Sequence, residues 1–217
     1  MPRIKSTLTP QYEFDPRLGT TGRYVDKSTG RIVPRELVTD AMEMQISDSR
    51  QKINSLSRQL ANGEISISEW QLAMRNNIRV IHSQAAALAK GGWAQMSQSD
   101  WGAVGPLSAK QYFYLQRFAL QIEEGKQKLL NVQGEINGQF MRRADLYGQA
   151  GNATYHKMED RTALQSGLTE EMRILDPLAV HCDCCIDQAG HWEPIGTLIE
   201  IGGCTCSQKC RCDKEYR

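Results

Sequence analysis

The sequence predicts a mainly α protein: long helices, an extended N-terminal arm, and a small cysteine-rich module containing β-structure at the C-terminus. Three observations carry this. Apolar residues recur at three- and four-residue steps through much of residues 35–165, the spacing of one helix face. All seven cysteines of the 217-residue chain fall between Cys182 and Cys212. The first 22 residues hold Pro2, Pro10, Pro16 and the run Gly19-Thr20-Thr21-Gly22, with no apolar period. These signals divide the chain into an arm with a short hairpin (1–34), a helical hairpin and linker (35–107), a second helical region (108–168) and the cysteine-rich module (169–217).

The arm is basic. Residues 1–35 carry seven Lys or Arg against Glu13, Asp15 and Asp26. Near its end, Arg23-Tyr24-Val25 and Arg31-Ile32-Val33 flank Asp26-Lys27-Ser28-Thr29-Gly30, a hairpin pattern. Pro34 then opens a helix to about Ala61, with Met42, Ile46, Ser49, Ile53, Leu56 and Leu60 on one stripe and Asn62-Gly63 as the stop. Ser66 and Glu69 have the spacing of a capping box, so a second helix should run from Ile67 to Lys90 with Trp70, Met74, Ile78, Ile81 and Leu88 inward. Residues 93–107 read as an irregular linker because of Gly105-Pro106. Ser108 with Gln111 reads as the cap of a third helix carrying Tyr112, Leu115, Phe118, Ala119 and Ile122. A fourth helix from about Glu135 to Thr162 presents Phe140, Ala144 and Tyr147. Its Gly148 and Gly151, each costing about 1 kcal/mol against Ala, predict a kink or break. Met172–Leu175 and Ile195–Ile201 read as two short strands that could pair.

Cysteines that merely fill a core are scattered, so their clustering calls for a chemical reason. Cys182 and Cys185 form a C-x-x-C pair, and Cys204, Cys206, Cys210 and Cys212 offer a second pair about 20 residues later, the separation typical of four-thiolate zinc sites. Zinc takes four soft ligands in a tetrahedron and clips segments too short to bury a core. The expected ligands are Cys182, Cys185, Cys206 and Cys210, with Cys204 and Cys212 as alternates. Cys184 shares its turn with the first pair and should point away. His181 and His191 are each a possible replacement for one thiolate. The competing reading, a disulfide framework, requires an oxidising compartment, and Met-Pro-Arg-Ile-Lys begins no apolar run of secretory length.

Other chemistry has no pattern in the sequence. There is no Gly-rich phosphate loop and no His-Glu-x-x-His. Glu159 and Asp160, adjacent on a helix, point to different sides and read as solvated charges. His82 and His156 read as structural. A site closed by four thiolates has no open position for Lewis-acid chemistry, so no enzymatic activity is expected. A formal charge of +1 disfavours a strongly basic nucleic-acid binder. No apolar run approaches the roughly 20 residues that span a bilayer.

The C-terminal half carries a further pattern: Gln139-Phe140-Met141-Arg142-Arg143-Ala144-Asp145-Leu146-Tyr147, Ala150, Tyr155, Arg173-Ile174-Leu175, His181-Cys182-x-x-Cys185, Gly196-Thr197-Leu198, Gly202, and Cys206-x-x-x-Cys210-Arg211-Cys212. Over about residues 108–217 it resembles the phage minor head protein family, the head morphogenesis group named after the minor head protein of phage Mu. The resemblance implies a mostly helical virion protein, made in the host cytoplasm, that joins the head near the portal. Its partners would be portal, major capsid or neck proteins and copies of itself, with no small-molecule substrate. A zinc-ribbon nucleic-acid adaptor is the alternative.

Overall fold

A computed structural model describes residues 12–15, 23–206 and 210–217; the rest of the N-terminal arm and residues 207–209 lie outside the described residues. The protein is mainly helical, with small antiparallel sheets. Strands β1 (Tyr12–Asp15), β2 (Arg23–Asp26) and β3 (Ile32–Val33) form the first sheet in that order, both pairs antiparallel, with Tyr24 opposite Val33. The turn between β2 and β3 is held by the Asp26 carboxylate, which accepts from the Ser28 amide at 2.7 Å.

Helix α1 (Arg35–Ala61) ends at Asn62, and Gly63 supplies the left-handed turn at φ +74°. Helix α2 (Ile67–Ala89) starts at the expected capping box: Ser66 Oγ accepts from the Glu69 amide, and Glu69 accepts from the Ser66 amide at 2.8 Å. Both stripes turn inward. Met42, Ser49, Ile53 and Leu60 of α1 are buried, as are Trp70, Met74, Ile78, Ile81 and Leu88 of α2.

Residues 93–107 are not the irregular linker that the sequence suggests. A single 3-10 turn at Trp93–Gln95 leads directly into helix α3 (Gln98–Glu123). Its cap is Ser97, which forms a capping box with Asp100, and the helix continues through Pro106. Ser108 is therefore a buried interior residue and not a cap. The fourth helical stretch breaks as expected, into α4 (Gly138–Gln149) and α5 (Gly151–Gln165), with Ala150 between them.

Helix α2 lies at the centre, against α1, α3 and α5, while α4 packs on α1. Two apolar clusters result. One surrounds Trp70, with Phe118 edge-on at 5.5 Å between ring centroids and Phe140 at 6.1 Å. The other joins Val38, Met42 and the Ala85–Ala89 segment of α2 to Tyr155 and Met158 of α5, and takes in Tyr24. The glycines that mark the α4–α5 break also allow close approach. A Cβ on Gly148 would lie 2.8 Å from Arg50 Cγ, and one on Gly151 would lie 2.6 Å from Ile81 Cγ1.

The second sheet has the order β5 (Trp192–Pro194), β4 (Glu170–Ile174), β6 (Asp213–Tyr216), antiparallel throughout, with Arg173 opposite Lys214. Residues 195–201, expected as a strand, form a turn and loop instead. The fully buried Glu171 accepts hydrogen bonds from the amides of Gly196 (2.8 Å) and Leu198 (3.4 Å), so a side chain satisfies what a neighbouring strand would otherwise bond. The buried face of β4 and β6 is unusual in carrying Glu171, Arg173 and Lys214 beside Tyr216. Such charges are tolerated inside only when paired. Lys214 Nζ meets Glu171 at 2.5 Å and Asp160 of α5 at 2.8 Å, which fastens this sheet to the helices.

Candidate metal centre

The sulfurs arrive on three short segments beyond the β5–β4–β6 sheet. The first is a single-turn helix, α6 (Asp183–Asp187), for which Cys182 is the N-cap. The Cys185 amide donates to the Cys182 carbonyl at 2.9 Å, so both thiols come off one turn. The second is the turn around Gly202 (φ +87°), which delivers Cys204 and Cys206. The third is the lead into β6, which delivers Cys210 and Cys212. Together with Ile201 these cysteines form a third buried cluster.

Cys185 is fully buried and central to the group. Its sulfur lies 3.4 Å from that of Cys206 and 3.7 Å from that of Cys210. These three ligand atoms all fall within 4.8 Å of one another, and so do those of Cys182, Cys185 and Cys204. Of the four cysteines expected from the sequence, Cys185, Cys206 and Cys210 thus fall in one group, while Cys182 joins Cys185 in the other, together with Cys204. Tetrahedral thiolates about 2.3 Å from one ion would stand about 3.8 Å apart, close to the spacings found here.

Cys184 does not point away. It is joined to Cys204 as a disulfide, with Cα atoms 5.8 Å apart. This leaves the alternate Cys204 without a free thiol, whereas Cys212 remains free and buried. No spacing marks that pairing in advance, because seven sulfurs in one short window allow many. His181 also belongs to the cluster: its Nδ1 is 3.7 Å from Cys212 Sγ, and its Nε2 is 2.7 Å from the Asp176 carbonyl. His191 is exposed, and its contacts are the Ala189 carbonyl and Glu193.

Electrostatics favour anionic sulfur at two positions. The Cys182 thiol is lowered to about 6 by hydrogen bonds from the Thr205 hydroxyl and from backbone amides. Burial works against the Cys210 thiolate, yet the amides of Cys212 and Gly202 bring its pKa below the usual thiol value. Burial pushes Cys185, Cys206 and Cys212 upward, and neighbouring sulfurs add to the effect on Cys206 and Cys212. A concentration of thiols that resist losing their protons together is what a divalent cation relieves.

Arg173 enters the sequence reading only as part of the Arg173-Ile174-Leu175 stretch of the family pattern, with no role assigned. It is fully buried, and Nη1 lies 3.5 Å from the sulfurs of both Cys185 and Cys204, while Nη2 donates to the Ile199 carbonyl. Among the described residues no carboxylate lies within ion-pair distance of it. A buried guanidinium without an anion is costly, and of the two sulfurs beside it only that of Cys185 can ionise, because Cys204 is in the disulfide. The donor set therefore fits a soft or borderline metal ion.

The helical carboxylates differ from expectation too. Glu159 is fully buried, taking hydrogen bonds from Tyr24 and lying 3.2 Å from His156, while Asp160 binds Lys214 and Tyr216. Neither is a solvated charge. The ligand-type atoms of His156, Glu159 and Asp213 also fall within 4.8 Å of one another. Among the described residues no helix is long and apolar enough to cross a membrane. Comparison of the chain with protein-family models, with curated proteins and with solved structures gives no match.

Proposed function

We propose that the chain is a structural bacteriophage head protein, a minor head or connector-region component that acts in assembly through protein–protein contacts. A zinc ion held by Cys182, Cys185, Cys206 and Cys210 would keep its C-terminal module rigid. The observation that carries this reading is the union of the thiol cluster and the pinned sheet. A module with almost no apolar core is fixed by sulfur at one end and by the Lys214 ion pairs to the helices at the other. Such construction suits a docking element better than a catalyst. The sequence resemblance to the minor head family supplies the biological setting.

The module also presents apolar surface. Leu178 and Val180, which precede the first cysteines, are 91% and 99% exposed, and Ile186 on α6 is half-exposed. Large apolar side chains displayed on a rigid support are typical of contact surfaces. On this reading the partners are portal, capsid or neck proteins and further copies of the chain.

A zinc-ribbon nucleic-acid adaptor needs basic side chains free around the cluster. Its candidate contacts are Arg211, Lys209 and the basic arm; Lys209 and most of the arm lie outside the described residues, Arg211 lies 3.5 Å from Glu43, and the net charge is +1. The test is co-expression with the portal protein of the same phage, followed by analysis of purified particles. A stable complex and presence in particles are expected. Absence from both would overturn the reading.

A further inference from the structure

We propose that the chain binds a second copy of itself head to tail. The acidic stretch from Asp176 to Asp187 of one copy seats in a basic cleft between α3, α4 and α5 of the next. This contact deepens the reading as an assembly protein and rests on it, because it names the two surfaces that join copies.

The cleft encloses about 560 Å³. Lys110 and Arg117 of α3, Arg143 of α4 and Lys157 of α5 line it, and Glu200 is the one carboxylate in its wall. Glu200 is already taken by Lys157, at 2.7 Å. Arg143 stacks on Phe118 and bonds to Gln121, and Arg117 lies over Phe113. Among the described residues, neither these two nor Lys110 has a carboxylate within ion-pair distance. Tyr114 and Leu146, both partly exposed, add apolar wall between the charges. The cleft therefore suits a segment that is both acidic and apolar, and not a bare anion.

The chain displays such a segment. Between Arg173 and Lys209 it has no Lys or Arg. Leu178 and Val180 are 91% and 99% exposed, the most open of the large apolar side chains here beside Val132. They stand on a fastened turn: the Asp176 carboxylate accepts from the Leu178 amide at 2.8 Å, and the Asp176 carbonyl accepts from the Ala179 amide at 3.1 Å and lies 2.7 Å from His181 Nε2. A turn already held in shape loses little freedom on docking. Asp183, Ile186 and Asp187 follow on α6, spaced to share one face, and all three are exposed. Neither Asp183 nor Asp187 has a cationic partner among the described residues.

The near-complete exposure of Leu178 and Val180 shows that this stretch does not fill its own chain's cleft, so the cleft it fits is that of another copy. Cleft and stretch are different surfaces, which makes the contact heterologous. Each copy in a pair keeps one free cleft and one free stretch, and the contact repeats into a ring or an open chain.

The test is sedimentation velocity of the full-length protein over a concentration series at low and high salt. Association that grows with concentration and weakens as salt rises is expected. Lys110→Glu with Arg117→Glu, and separately Leu178→Ser with Val180→Ser, should each abolish it. All four side chains are exposed, so circular dichroism should show the native helical content in both variants. An equimolar mixture of the two should give dimers and nothing larger, because one intact stretch and one intact cleft remain. Association that survives in either variant, or a mixture without dimers, would overturn the contact. So would a native protein that stays monomeric. If that monomer still enters a complex with the portal protein, the assembly reading stands, and loss of the complex in the Lys110 and Arg117 variant would give the cleft to the portal. A monomer that joins no such complex would overturn both.

Discussion

Lys214 Nζ lies 2.8 Å and 2.9 Å from the two carboxylate oxygens of Asp160, joining the last strand of the chain to the face of α5. The ammonium is buried, and it also meets Glu171 at 2.5 Å. Burial pushes the Asp160 carboxyl up against the pull of Lys214, and burial likewise opposes charge on Lys214, whose pKa rises because the two carboxylates outweigh it. The contact therefore depends on all three groups being present.

Lys214→Ala should accordingly be much worse than loss of one surface ion pair. It leaves Asp160 and Glu171 buried without their cation, at a cost of about 3–5 kcal/mol. Asp160→Asn should cost less, because Lys214 keeps Glu171. Urea unfolding of the two variants checks the order, and equal costs would show that Lys214 is not shared.

His82 gives a pH prediction. Burial lowers its pKa from 6.5 to about 4, and its Nδ1 lies 2.5 Å from Thr154 Oγ1. The unfolded chain takes up a proton near pH 6.5, whereas the folded chain does so only near 4. Stability is complete above the unfolded value and falls as pH drops through that window, by up to about 3 kcal/mol. His82→Asn should flatten the slope between pH 6.5 and 4 in thermal melts, whatever it does to stability at pH 8.

Gly151→Ala tests the close approach of α5 to α2. Helix propensity alone favours alanine, by at most about 1 kcal/mol at this first position of α5. The new Cβ, however, would meet Ile81 Cγ1 at 2.6 Å, and Ile81 is fully buried. Overpacking of this kind typically costs about 1–3 kcal/mol, so net destabilisation is expected. A rise in melting temperature would mean that Ile81 can move aside.

The same glycine shows where sequence reading succeeds and where it stops. Gly148 and Gly151 announce a break, and the break is there, but the neighbours that require glycine come from α1 and α2 and leave no local trace. The stripes of α1 and α2 are legible because their periods repeat over many turns. Helix α3 is misread at its start because Gly105-Pro106 looks like a terminus. The true signal, Ser97 followed three residues later by Asp100, uses Asp where Glu or Gln is the usual partner. Strand β6 is four residues, Asp213-Lys214-Glu215-Tyr216, whose inward positions are Lys214 and Tyr216, so the sequence shows no apolar alternation and the strand is recognised only from its pairing with β4. At the thiol cluster, C-x-x-C spacing points to Cys182 and Cys185. The later partners and the role of Arg173 depend on how three separate turns converge.

Metal removal should separate the module from the helices. Binding free energy at a thiolate site is folding free energy for the segment that carries it, and the module's own cluster contains little beyond cysteines and Ile201. A strong chelator, or Cys182→Ser with Cys185→Ser, should abolish the cooperative transition of residues 169–217. The helices rest mainly on the clusters around Trp70 and Met42, to the second of which the module adds Tyr216 and Ile195, so most of the far-ultraviolet helical signal should remain. Amide hydrogen exchange would show the difference residue by residue, with protection lost at Cys185 and Arg173 and kept at Trp70 and Ile78. Unchanged protection across the module would mean that the Cys184–Cys204 bond and the Lys214 ion pairs hold it without an ion.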